Sequence, residues 1–155
     1  MDRGVRLGVD VGTVRVGVAA SDPEGRMAFP VGTVRRSESA AQEVLAIARD
    51  REAQWIFVGL PRHLDGREGP SAADARAFAA ELAELGDIPV RLVDERLTTT
   101  SAARAMSSVG KSARDQRSTI DAAAAAVLLE NALDIDRNGN LGTVTVGVPR
   151  KEKHD

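Results

Sequence analysis

The sequence predicts an α/β fold, a mixed five-stranded sheet with helices on both faces. Three observations point to it. The chain opens with alternating apolar segments separated by Gly- and Pro-containing turns. The apolar period then lengthens to that of a helix. After that, continuous apolar runs alternate with helical stretches, the pattern of parallel strands joined by helical crossovers and buried on both sides.

The elements follow in order. Val5 to Val11 alternates and predicts a strand, and Gly12-Thr13 a turn. Arg15 to Ser21 is the returning strand of a hairpin, and Met27 to Val34 a third strand that Pro30 places near an edge or a bulge. Ser39 with Gln42 has the form of a capping box, and Val44, Leu45, Ile47 and Ala48 give the first helix its apolar face. Trp55 to Leu60 is a buried strand. The Gly- and Pro-rich segment Pro61 to Pro70 is a loop, and Ser71 caps a helix to about Leu85. Val90 to Asp94 is another buried strand. A helix is expected from Thr98 or Thr99 to Ser107, then a polar loop over 108–117. Ser118 or Thr119 is expected to cap a last helix that carries the Ala122–Ala126 block to about Leu133. Thr143 to Val148 alternates and reads as a strand or an ordered extension. The expected organisation is one domain over 1–135 and a tail over 136–155 that is one extra strand or flexible.

Composition narrows the function. A chain of 155 residues buries a real core without staples. It has no cysteine, which excludes disulfides, thiolate metal sites and cysteine nucleophiles and suits a reducing cytoplasm. No apolar run approaches the roughly 20 residues that span a bilayer, so a cytoplasmic protein with no membrane partner is expected. The net charge of −2 runs against a bulk attraction to nucleic acid. Local charge differs: between Arg96 and Arg117 five basic residues face one acid, Asp115. Aromatics make up 3 %, too few for a base-stacking platform.

The acids carry the chemistry. Asp10 sits inside an otherwise apolar strand, where a lone carboxylate is costly to bury. Asp94 and Glu95 end a strand of the parallel part, where α/β sheets gather function. Successive strand residues face opposite sides, so only one of the two shares a face with Asp10. Spacing alone does not choose between them, and Asp94 would serve as well to cap the next turn or pair with Arg96. Asp121 precedes the alanine block, whose small side chains let the helix lie close to the sheet. An acid favoured by the helix dipole would explain it equally. Converging carboxylates repel by roughly 4 kcal/mol per pair at about 4 Å and an effective dielectric near 20, so a cluster needs protons or cations. Oxygen-only donors suit hard ions such as Mg²⁺ or Mn²⁺, and a pair of such ions is the arrangement that hydrolyses phosphodiesters.

Four segments resemble the YqgF/RuvX family of RNase H-like nucleases. Asp10-Val11-Gly12-Thr13-Val14-Arg15-Val16-Gly17-Val18-Ala19 is similar to its D-x-G-x-x-R-x-G-x-A opening. Gly59-Leu60-Pro61 with Asp65-Gly66 and Gly69 is similar to its G-L-P…D-G…G segment. Asp94 to Thr99 is similar to its D-E-R-L-T-T segment, and Ile120-Asp121 with Ala123-Ala124 to its I-D-x-A-A helix. Together they cover residues 5 to 133. The resemblance implies an RNase H-like fold and a triad of Asp10, Glu95 and Asp121 that binds two Mg²⁺ or Mn²⁺ ions and catalyses cleavage. It selects Glu95 over Asp94. It implies 5′-end processing of the small-subunit ribosomal RNA precursor, or resolution of Holliday junctions in recombination and repair by likeness to the RuvC resolvases. Those resolvases carry a second acid three residues further on in the last helix. Here that position is Ala124, which leans the reading toward RNA.

Other residues have two readings each. Arg15 and Arg96 bind phosphates, or pair with Asp10 or Asp94 to hold the acids. Lys111, Arg114 and Arg117 form a basic flap that tracks a nucleic-acid backbone, or a solvated loop. Thr98 and Thr99 are helix caps before they are phosphate contacts. His63 is an exposed loop residue before it is a proton shuttle. The expected partner is nucleic acid, ribosomal RNA precursor or branched DNA, with association with the ribosome, acting as a monomer or weak homodimer. Two other functions compete. Asp10-Val11-Gly12-Thr13 also resembles the first phosphate loop of actin-like ATPases, but that fold needs a second such domain. A non-catalytic RNA-binding assembly factor that keeps an acidic pocket is the other.

Overall fold

The computed structural model describes residues 4–97, 113–139 and 145–149. Its strands are β1 (Val5–Val11), β2 (Arg15–Ser21), β3 (Ala28–Arg35), β4 (Ala53–Leu60), β5 (Val90–Asp94) and β6 (Thr145–Gly147). Its helices are α1 (Ala40–Asp50), α2 (Pro70–Leu85) and α3 (Ala113–Arg137), with a 3₁₀ turn over Glu95–Leu97. They form one mixed sheet in the order β3-β2-β1-β4-β5-β6. The β1–β2 and β2–β3 pairs are antiparallel, while β1–β4 and β4–β5 are parallel, as the hairpin opening and the helical crossovers predict. The five expected strands are present. The tail adds a sixth, β6, antiparallel to β5, with Leu92 opposite Val146.

Strand alternation sorts side chains onto two cores. Leu7, Val9, Val16, Val18, Ile56, Val58, Leu60, Val90 and Leu92 face α1 and α2. Ala19, Phe57 and Val93 face the other way and pack with Ala125, Ala126, Leu128, Leu129, Ala132 and Leu133 of α3. The alanine face does what its small side chains allow. A β-carbon on Gly8 of β1 would lie 2.8 Å from Leu129 Cβ and 2.9 Å from the Ala125 carbonyl oxygen, so helix and sheet approach to backbone distance. Pro30 lies on β3, an edge strand, beside a break in register between Val18 and Ala19 of β2.

Helix starts differ from expectation, each for a local reason. Ser39 makes no capping bond to the α1 backbone, so the Ser39–Gln42 box is not formed. Its hydroxyl is engaged by Ser37 Oγ at 3.1 Å instead. Helix α2 is capped by Gly69, not Ser71, because Pro70 takes the first helical position, where its missing N–H costs nothing. Helix α3 begins at Ala113, so Ser118 and Thr119 lie inside it and 113–117 is not the expected loop. Ala113, Arg114, Gln116 and Arg117 are strong helix formers, and Asp115 suits a first turn. The expected helix from 98 or 99 to 107 lies outside the described residues. Among the described residues no helix is long and apolar enough to cross a membrane.

Candidate active site

The ladder register decides which acids meet. Asp10 stands directly opposite Gly17 in the β1–β2 pair, on the same face as Gly8 and hence on the α3 side. In β5, Leu92 faces α1 and α2, while Val93 faces α3. Asp94, paired with Leu60, falls on the Leu92 side, and Glu95, the first residue of the 3₁₀ turn, returns to the face of Asp10. The choice that spacing left open is thus made by register.

Asp10 and Glu95 are joined by a side-chain hydrogen bond. Two carboxylates can make that contact only if they share a proton. Burial, the hydrogen bond to Asp10 and the nearby Asp10 and Asp94 charges push Glu95 up to about 8. Burial also raises Asp10 above the usual carboxylate range. The bond from Glu95 opposes that shift, and the Asp121 charge adds to it.

Two glycines make room for this arrangement. A β-carbon on Gly59 would overlap Glu95 Oε1, so only a residue without one lets Glu95 lie over β4. A β-carbon on Gly17 would overlap the Asp121 backbone carbonyl, which rests against β2. Asp121 therefore reaches the site from the third turn of α3. It does not open the helix, so the helix dipole does not account for it.

Asp121 is close enough to perturb Asp10, yet its Oδ2 accepts a hydrogen bond from Arg15 Nε at 3.2 Å. Among the described residues no three acids or histidines are gathered as a ready metal-binding set. The structure brings Asp10 and Glu95 into contact and leaves Asp121 beside them, held by Arg15. The donor chemistry nonetheless fits a hard divalent cation. Asp10, Glu95 and Asp121 offer oxygen donors alone, and burial disfavours leaving Asp10 and Glu95 both ionised.

Arg15 pairs with Asp121, whereas the ion-pair alternative to phosphate binding names Asp10 or Asp94 as its partner. Arg96 does pair with Asp94, Nη2 to Oδ2 at 2.6 Å, and its backbone N–H donates to Asp94 Oδ1 at 2.9 Å. Burial pushes Asp94 up, but the hydrogen bonds from Arg96 and the Arg96 and Arg62 charges outweigh it and hold Asp94 below the usual range. Asp94 is thus an anchor for the turn that carries Glu95. Lys111 lies outside the described residues, as do Thr98 and Thr99. Arg114 and Arg117 lie on the opening turns of α3. His63 is an exposed loop residue.

Sequence reasoning missed two braces. Arg62 links Asp94 (3.5 Å) to Glu68 (3.2 Å), and Glu68 binds Arg76 of α2 at 2.7 Å. Arg36 grips Asp74 of α2 through both guanidinium nitrogens at 2.8 and 2.9 Å, and its Nη1 also donates to the Gly12 carbonyl at 2.9 Å, fixing the turn after Asp10. Pairs this far apart in sequence leave no local signal.

Residues 4–135 match the family model described as "RuvX: Holliday junction resolvase". A "Putative pre-16S rRNA nuclease" of Thermobifida fusca (strain YX) is 46 % identical, covering 96 % of this chain and 100 % of that protein. One of the same name from Mycobacterium ulcerans (strain Agy99) is 51 % identical, covering 85 % of this chain and 79 % of that protein. The solved structure of Thermus thermophilus RuvC in complex with a Holliday junction substrate aligns with a TM-score of 0.53 at 16 % identity, over 88 % of this chain and 97 % of that one. That likeness is one of fold, and the fold is RNase H-like.

Proposed function

The chain belongs to the RuvX family, and on that premise we propose that it is a divalent-metal-dependent endonuclease that trims the 5′ end of the small-subunit ribosomal RNA precursor. The observation that carries this reading is the hydrogen-bonded Asp10–Glu95 pair with Asp121 beside it on one face of the sheet. The relatives' names supply the RNA substrate.

Asp10 and Glu95 would hold the ions, with Asp121 as the third ligand once it turns from Arg15. Bound Mg²⁺ or Mn²⁺ supplies hydroxide at neutral pH and stabilises the leaving oxygen. The chain's own residues prepare the site. Burial raises both Asp10 and Glu95, so the pair disfavours carrying two bare negative charges and would be eased by a bound cation. Gly17 and Gly59 set how near the acids approach. Arg15, released by Asp121, presents a guanidinium to a phosphate oxygen, a charge-assisted contact. The Arg36–Asp74 clamp keeps the Gly12 turn, and so the end of β1, in place. A cysteine-free chain acting on ribosomal RNA precursor would work in the cytoplasm.

A cleavage panel tests the proposal. Ribosomal RNA precursor, a four-way DNA junction and single-stranded RNA are each incubated with Mg²⁺ and Mn²⁺, with Asp10→Asn protein as the control for contaminating nucleases. Metal-dependent cutting of the precursor near its mature 5′ end, absent in the variant, is expected. Cutting of the junction alone would favour resolution of branched DNA. No cutting of any substrate by an intact protein would leave a binding factor.

A further inference from the structure

The β2–β3 ladder holds two arginines where a sheet would not place them for stability. Arg15 and Arg35 are direct cross-strand partners, and like charges at such positions repel. Val34, the neighbour of Arg35, is buried toward α1 and α2, so Arg35 lies on the opposite face with Arg15 and the acids. Arg15 is neutralised by Asp121 at 3.2 Å. Arg35 is exposed, and among the described residues no carboxylate pairs with it. Between them lies a groove of about 410 Å³ lined by Val14, Arg15, Thr33 and Arg35. Its size falls in the ligand-cleft range of roughly 300–1,000 Å³. Arg15, which lines it, also touches Asp121, so this one residue links the groove at the β3 edge of the sheet to the acids.

We infer that this groove seats the phosphodiester backbone of the RNA strand flanking the cleaved bond, with Arg15 as the inner and Arg35 as the outer phosphate contact. The inference rests on the nuclease reading and adds to it a path for the strand. Guanidinium forks match phosphate oxygens in geometry and charge, and an anion between Arg15 and Arg35 removes their repulsion. A net charge of −2 gives the chain no general attraction for a polyanion, so local cations must hold the strand. With so few aromatics the contact is to backbone, not to stacked bases.

The test measures binding of a labelled single-stranded RNA oligonucleotide by fluorescence anisotropy across a series of KCl concentrations. It uses the full chain carrying Asp10→Asn so that nothing is cut. Adding Arg35→Ala should flatten the slope of log K against log salt by about 0.7, the loss of one single-strand phosphate contact, with thermal stability unchanged or raised. Arg35→Lys should restore the slope. Arg35→Glu should weaken binding further, because it pairs with Arg15. Arg49→Ala, on α1 across the sheet, removes the same charge and should leave the slope alone. The same loss is expected on DNA of equal sequence, since phosphate is what is touched. Equal effects of Arg35→Ala and Arg49→Ala would overturn the groove, as would a slope change on DNA but not on RNA. If the Arg35-intact protein bound no RNA at any salt, the nuclease reading itself would fall, a distinct result.

Discussion

Glu95 lies directly over Gly59, so close that a β-carbon at residue 59 would occupy the place of its Oε1. The clash is with the far end of a flexible side chain. Gly59→Ala should therefore spare the fold, shifting stability by no more than about 1 kcal/mol, while displacing Glu95. Misplacing a ligand by about an ångström costs roughly tenfold to a hundredfold in rate. Cleavage at saturating Mn²⁺ beside a thermal melt separates the two effects. A variant with full activity would show that Glu95 does not work from this position.

Gly17 meets backbone instead. The Asp121 carbonyl cannot swing aside as a side chain can, so Gly17→Ala must push α3 off the sheet. Overpacking of this kind costs roughly 1–3 kcal/mol. In urea titrations Gly17→Ala should be clearly less stable than Gly59→Ala, and it should lose activity as well. Equal midpoints for the two variants would contradict the backbone contact.

Asp10 and Glu95 give the metal-free protein an inverted pH dependence. Both carboxyls are raised in the folded state, Glu95 from 4.5 to about 8. Between those values the folded chain holds a proton that the unfolded chain releases, so stability falls as pH rises toward 8. Asp22, Asp65, Glu68, Asp74 and Asp94 are lowered and act in the opposite sense, their contribution being lost only as pH falls below the usual carboxylate range. The two effects therefore occupy different windows. Unfolding midpoints in chelator should decline from about pH 5 to pH 8. Asp10→Asn or saturating Mg²⁺ should flatten that decline. A midpoint that instead rises over this range would mean the pair is not buried together.

Asp94 and Glu95 are neighbours with separable duties. Glu95→Gln should abolish cleavage and hold or raise stability in chelator at pH 8. Asp94→Asn breaks the contacts to Arg96 and Arg62. It should cost about 1 kcal/mol, discounted for the partial exposure of both arginines, and retain measurable cleavage. Reversed phenotypes would exchange the roles of the two acids.

Much of this was legible in the sequence because each strand announces itself by period. Asp10 stood out as a charge in an apolar strand, and the alanine block foretold a helix pressed on the sheet. Glu95 was different. Its face follows from the register of β4 and β5, a property of paired strands that one strand's pattern does not contain; only the family resemblance chose it. The start of α3 is hidden because Ala113 to Arg117 is polar yet helix-forming, and polarity alone does not separate an exposed helical turn from a loop. Arg15 was seen as a neighbour of Asp10, but its partner, Asp121, lies 106 residues away. Arg36 and Asp74 are silent for the same reason.

The two rims of the sheet bear on how the molecule behaves in company. On one side β3 carries Pro30 and a break in register; on the other the three residues of β6 cover the backbone of β5. Among the described residues neither rim offers a long, flat template on which another chain could extend the sheet. Removing residues 145–147 would bare the backbone groups of β5 that now face β6, and strand addition between molecules, with the aggregation it brings, would then have a place to start.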